Sequence, residues 1–303
     1  MKMSLYFALI FWFGLALSFV VATAAIGGKV AEDYLKMEKV IDHGSASNHV
    51  RVYANSKRGG KYIVIVPSLG RGVEDYTEKY NSSLTTRFVE AGYQVVLIQP
   101  RGIGKSVGDL TPQNASMSMF AQDIKAVLDT LEIKQANFIG HAFGNRLVRT
   151  YATLYPSYVD HLVLMASGGN FGMTEEQENC LTNSFNLKLA DEKRLKFIKC
   201  AFFAEGNDPS IWLSGWYPDL AKAQILSSRM INGDFYKKAG GKLFLLVQAA
   251  EDFIAPPDKA GKVLKQELGD QVTYVEIPHA GHALSSEQPE LIAKHILDYF
   301  GRK

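Results

Sequence analysis

The sequence predicts an α/β fold, a mainly parallel sheet of about eight strands covered by helices, with a helical insertion between two late strands. Three observations predict it. Short apolar runs rich in β-branched residues recur along the chain, and stretches of helical periodicity follow them. That rhythm breaks once, between about residues 170 and 240, where the chain turns polar and aromatic without a strand-like run. Strand and helix in alternation set successive strands parallel, and a parallel sheet needs cover on both faces.

The elements follow in order. "KYIVIVP" (61–67) reads as a buried strand, and "TTRFVEAGY" as the end of a helix capped at Gly92. "YQVVLIQP" (93–100) is the next strand. Met117, Phe120, Ile124, Val127, Leu128 and Leu131 then fall on one helical face, and "ANFIGH" follows as a strand. Further strands are "HLVLMAS" (161–167), "KLFLLVQAA" (242–250) and "VTYVEI" (272–277), with helices after 256 and from about 287 to 300. The insertion holds both cysteines together with Trp212, Trp216 and Tyr217.

The chain opens with Lys2, an apolar run from Leu5 to Val21 and then Ala22-Thr23-Ala24. This is the pattern of a secretory signal peptide over residues 1–24, cleaved before Ala25, which leaves one domain over 25–303 and an exported, periplasmic or secreted protein. An uncleaved membrane anchor is the alternative, and a membrane is a partner only in that case. Cys180 and Cys200 form a disulfide if the chain reaches an oxidising compartment; two buried thiols are the other reading. With 33 basic against 31 acidic residues, a net charge of +2 and no sustained basic run, nucleic acid is not an expected partner. The seven histidines form no pair with suitable ligand spacing, so neither metal nor cofactor is expected. "RGIGKSVG" (101–108) contains Gly-Lys-Ser, but Gln99 stands where a phosphate-binding loop needs its first glycine.

The chemistry centres on "NFIGHAFGNRL" (137–147), a strand turning sharply into a helix at Gly140-His141-Ala142-Phe143-Gly144. Asp252 follows a later strand in "VQAAEDFIAPP", and His282 precedes the last helix in "IPHAGHALSSEQPE". In this order the motifs resemble those of the α/β-hydrolases, over essentially everything after the leader. That resemblance implies an elbow nucleophile at position 142, an acid at Asp252 and a histidine at His282. Glu251 and His279 are the neighbouring alternatives. It also implies an oxyanion hole built from the N–H groups of Phe143 and of Leu69 in "PSLGRG". Ser68, His141, Trp212 and Trp216 are the expected substrate contacts, and Ser68 a remote candidate for replacement nucleophile.

Where the resemblance places a serine, this chain has Ala142. A methyl group cannot attack a carbonyl, so the acyl-enzyme route is closed there. Three readings remain. His282 and Asp252 act as a general base on water or on an acidic proton of the substrate; or the pocket only binds, as in a pseudoenzyme; or Ala142 is an engineered change in a serine hydrolase. In each the partner is a small molecule, expected to be apolar and covered by the 170–240 segment as a lid. The oligomeric state has no sequence signature.

Overall fold

The computed structural model describes residues 29–55, 60–168 and 171–301, so the expected leader lies outside the described residues. Two antiparallel strands come first, β1 (Leu35–Asp42) and β2 (Ala46–Tyr53). The sequence reading gives no strand here for a physical reason: β1 is an edge strand with a single buried residue, Ile41, and a charged exposed face. The strands read from the apolar runs follow as β3 (Tyr62–Val66) and β4 (Gln94–Ile98). A two-residue β5 (Val107–Gly108) pairs with β2. The rest are β6 (Ala136–His141), β7 (Val159–Met165), β8 (Phe244–Ala249) and β9 (Val272–Ile277).

Among the described residues these make one nine-stranded sheet, ordered β1-β2-β4-β3-β6-β7-β8-β9 with β5 beside β2. The pairs from β4 through to β9 are parallel. Helices α1 (Leu84–Glu90) and α10 (Pro289–Phe300) cover one face, and α2 (Met117–Thr130) and α3 (Phe143–Leu154) the other. The two-residue period of a strand divides β3 between these layers: Ile63 and Ile65 join the cluster with α1 and α10, Val64 and Val66 the cluster with α2 and α3. Helix α1 stops at Glu90, and Gly92 at φ 98° turns the chain into β4. At α2 the Ser116 hydroxyl caps the N-terminus by accepting the Met119 N–H at 3.2 Å.

Between β7 and β8 lie α4 (Glu175–Ser184), α5 (Asp191–Phe202), α6 (Pro218–Met230) and α7 (Gly233–Lys237). After β8 come α8 (Gly261–Leu268) and the short α9 (Leu284–Glu287). A disulfide joins Cys180 on α4 to Cys200 on α5. This segment is locked to the loop after β3 through Arg71. The guanidinium donates to Asp75 through Nε (2.8 Å) and Nη2 (2.6 Å) and to the Ser214 carbonyl through Nη1 (2.9 Å). It also lies 4.1 Å from the Trp212 ring and 4.7 Å from the Trp216 ring. Two backbone contacts of Gly70, accepting from the Tyr217 N–H at 2.9 Å and donating to Gln224 Oε1 at 2.7 Å, complete the junction.

Candidate functional site

The strand order reverses between β3 and β6, because the chain leaves β3 outward to β4 and returns on the opposite side of β3 to form β6. In open α/β sheets a crevice forms beyond the carboxyl ends of strands at such a point. Ser68 and Leu69 follow β3 there and Ala142 follows β6, and all three line a cavity of about 900 Å³. Asp252 follows β8 and His282 follows β9, from the same edge of the sheet.

At the turn from β6 to α3, Ala142 has φ 50° and ψ −109°, a strained conformation for a residue with a side chain. Its N–H donates to the Met165 carbonyl at 2.9 Å, which fixes the turn against β7. The flanking glycines are required by space. A Cβ on Gly144 would lie 2.2 Å from the Val66 carbonyl oxygen, and one on Gly140 would lie 2.5 Å from the Gly144 carbonyl oxygen. Helix α3 begins at Phe143, so its first N–H groups have no acceptor within the helix, and Phe143 lines the cavity beside Ala142. Leu69, the other expected oxyanion donor, lines the same cavity.

His282 Nδ1 donates to Asp252 Oδ2 at 2.8 Å. Asp252 is held in turn: its Oδ1 accepts the Ala255 N–H at 2.8 Å, and the Gln248 amide stands 3.5 Å from Oδ2. Both side chains are buried, yet His282 reaches the cavity wall with Ala142. Since Nδ1 carries the proton to an ionised carboxylate, Nε2 is the basic nitrogen. Glu251 and His279 face each other at 3.8 Å on the exposed side, with the His279 side chain 85% exposed, and neither lines this cavity.

Three of the expected ligand contacts do not line this cavity. His141 is fully buried; its Nε2 donates to the His282 carbonyl at 2.8 Å and its Nδ1 accepts the Tyr76 hydroxyl at 3.1 Å. Burial, reinforced by the nearby His282, pushes its pKa down to about 3, so it is a neutral strut behind His282. Trp212 and Trp216 are buried too. Trp212 Nε1 donates to Ser286 Oγ at 3.0 Å and Trp216 Nε1 to the Trp212 carbonyl at 2.5 Å, so both rings serve the Arg71 junction and neither lines the cavity. The wall comes instead from Phe171, Leu181, Phe185 and Phe202, together with Ile225 and Val263. Tyr76 and Gln248 were not read as site residues from the sequence: Gln248 stands inside the Asp252 motif, four residues before the acid, whereas only the fold brings Tyr76 to His141.

The Gly-Lys-Ser stretch forms a turn in which Lys105 pairs with Glu38 at 3.0 Å, and Arg101 beside it is bound by Asp123. Among the described residues no group of three His, Cys, Asp or Glu side chains could hold a metal ion, and no helix is long and apolar enough to cross a membrane.

A family model described as the alpha/beta hydrolase fold matches residues 61–198, which includes the Ala142 turn and ends before Asp252 and His282. A 2-hydroxy-6-oxononadienedioate/2-hydroxy-6-oxononatrienedioate hydrolase of Paraburkholderia phymatum is 31% identical over 134 residues, 44% of each chain. This chain therefore spans less than half the length of that curated relative. A putative non-heme bromoperoxidase BpoC of Mycobacterium tuberculosis is 23% identical over 232 residues, 70% of this chain and 85% of that one. Among solved structures, a hydrolase from Pseudomonas aeruginosa PA01 superposes with a TM-score of 0.69 at 16% identity, covering 88% of this chain and 98% of that one. The 2-hydroxy-6-oxo-6-phenylhexa-2,4-dienoate hydrolase of Rhodococcus sp. strain RHA1 gives the same TM-score of 0.69 at 16% identity, over 88% and 100%. The sheet order, the elbow geometry and these superpositions together give the chain the α/β-hydrolase fold.

Proposed function

We propose that the chain takes a small carbonyl compound into the cavity, and that His282, oriented by Asp252, acts there as a general base on water or on an acidic proton of the ligand. The observation that carries this reading is the buried His282–Asp252 pair opening onto the same cavity as Ala142 and the start of α3. Loss of the serine from a serine hydrolase lowers turnover by on the order of 10⁶, so ordinary esterase activity should lie near background. A water activated by His282 would still find an oxyanion site at the Phe143 and Leu69 N–H groups. The relatives named as hydrolases of 2-hydroxy-6-oxo acids make hydrolysis at a carbonyl the favoured reaction class.

A second reading, ligand binding without turnover, is favoured by Ala142 itself. The segment between β7 and β8 acts as the lid in either case, since Leu181, Phe202 and Ile225 from it form part of the wall. Export agrees with the Cys180–Cys200 disulfide, which persists in oxidising compartments.

The test is hydrolysis of a short-chain nitrophenyl ester by the native chain, by Ala142→Ser, and by Ala142→Ser combined with His282→Ala. Activity that appears with serine and disappears with the histidine change supports His282 as a competent base at position 142. A serine variant no more active than the native chain overturns that assignment.

A further inference from the structure

Burying a guanidinium is costly unless its charge is met by a carboxylate or another anion. Other buried arginines of this chain obey the rule: Arg71 is bound by Asp75 and Arg101 by Asp123. Arg149 on α3 does not. It is 4% exposed and lines the cavity, and its hydrogen bonds go to uncharged partners: Nε to the Asn145 carbonyl at 3.2 Å and Nη2 to Asn145 Oδ1 at 2.8 Å. Its other neighbour is the Tyr236 ring, 5.0 Å away. Arg146, one turn nearer Ala142, lines the same cavity, and among the described residues no carboxylate lies within 4.0 Å of either guanidinium.

Two like charges are thus set side by side on one helix. Burial pushes the Arg149 pKa down to about 10, with Arg146 adding to the effect, so Arg149 stays charged at neutral pH. The acidic residues of the cavity do not cancel them. Glu267 is paired with Lys237 at 2.6 Å, and Glu178 and Asp234 are exposed. Arg229 and Lys259 add further positive charge to the wall.

We infer that the part of the cavity framed by Arg146 and Arg149 is a carboxylate-binding site, so that the ligand is an organic anion rather than a wholly apolar molecule. Helix geometry sets the spacing. Arg146 and Arg149 are four and seven residues beyond Ala142, which places them about 6 Å and 10 Å along the helix axis from the elbow. A ligand with its reacting carbonyl at Ala142 therefore carries its acid group at the far end of a medium-length chain, against the two guanidiniums. The apolar wall from Phe185, Phe202 and Ile225 suits the hydrocarbon between. This inference rests on the cavity assignment of the proposed function and not on its chemistry.

Binding to the native chain, measured by calorimetry, tests it with monomethyl suberate, dimethyl suberate and inorganic phosphate as probes. The monoester should bind at least tenfold more tightly than the diester, and more tightly than phosphate, which has the charge without the chain. Arg149→Gln and Arg146→Gln should each reduce the preference for the monoester several-fold. If Arg149→Gln does not fold, Arg146→Gln on its half-buried position decides the matter. Equal binding of monoester and diester by the native chain overturns the inference, as does a preference unchanged in a folded Arg146→Gln variant that also persists in any folded Arg149→Gln variant. Phosphate bound as tightly as the monoester overturns the assignment to carboxylates. Carboxylate preference without histidine-dependent hydrolysis in the serine variant would keep this inference and remove the catalytic reading; hydrolysis without that preference would do the reverse.

Discussion

Replacing Gly144 by alanine should damage this protein far more than its single added carbon suggests. The new Cβ would sit 2.2 Å from the Val66 carbonyl oxygen and 2.8 Å from that of Pro67. A carbon–oxygen contact is comfortable near about 3.3 Å, so the start of α3 and the end of β3 must part by roughly 1 Å. Both clashing atoms are backbone in the centre of the sheet, so no side-chain rotation relieves them. Overpacking of this kind costs about 1–3 kcal/mol, and the upper end applies where backbone must move. With a urea dependence of about 3 kcal/mol per molar, the unfolding midpoint should fall by roughly 1 M. Gly233→Ala is the control: its Cβ meets nothing within 4 Å and its φ is not positive, so it should be neutral or slightly stabilising. Urea unfolding followed by circular dichroism decides. A Gly144→Ala midpoint equal to the control would refute the close approach of α3 to β3 on which the site geometry depends.

Other expectations follow from the same geometry. Gly140→Ala should be similarly destabilising, and its effect should not add to that of Gly144→Ala, because the Gly140 Cβ would meet the Gly144 backbone at 2.5 Å; strictly additive urea midpoints would contradict the shared contact. The disulfide spans 20 residues, so Cys180→Ser with Cys200→Ser should lower stability by about 3 kcal/mol on the loop-closure estimate. Mass spectrometry of the native chain without reductant should find the two cysteines joined, and two freely alkylated thiols would show the bond absent. Burial holds the His141 pKa down to about 3, against an ordinary histidine value of 6.5. The unfolded chain therefore binds the proton first, and stability from this group is present above pH 6.5 and lost as pH falls toward 3, by up to about 1.4 kcal/mol per unit. His141→Asn should flatten the fall in stability between pH 6 and 4 relative to the native chain, and parallel profiles would show that this histidine titrates normally. Trp212→Phe should lose the indole bond to Ser286 and part of the Arg71 contact, a cost of about 1–3 kcal/mol. It should leave ligand affinity nearly unchanged, and a large loss of affinity in a stable variant would return this ring to the cavity.

The sequence by itself determined the parallel part of the sheet and the order of the motifs. Buried parallel strands such as β3 and β6 are continuous apolar runs, because both faces are covered, and such runs stand out in any reading. Gly140 and Gly144 were legible because a close backbone approach admits nothing larger. The identity of residue 142, which closes one chemical route, is also a fact of sequence alone. β1 was invisible because an edge strand buries little and its charges erase the alternation. Tertiary structure decided what long-range contacts decide. It sent Trp212 and Trp216 to Arg71 instead of the cavity, since an arginine from the loop after β3 supplied a better partner for two aromatic rings than open space. It turned His141 from a supposed ligand contact into a support for His282, through a tyrosine 65 residues away. It also left Arg149 buried without a carboxylate, which no reading of "NRLVRTY" could show, because whether a charge is neutralised depends on which distant side chains the fold brings within reach.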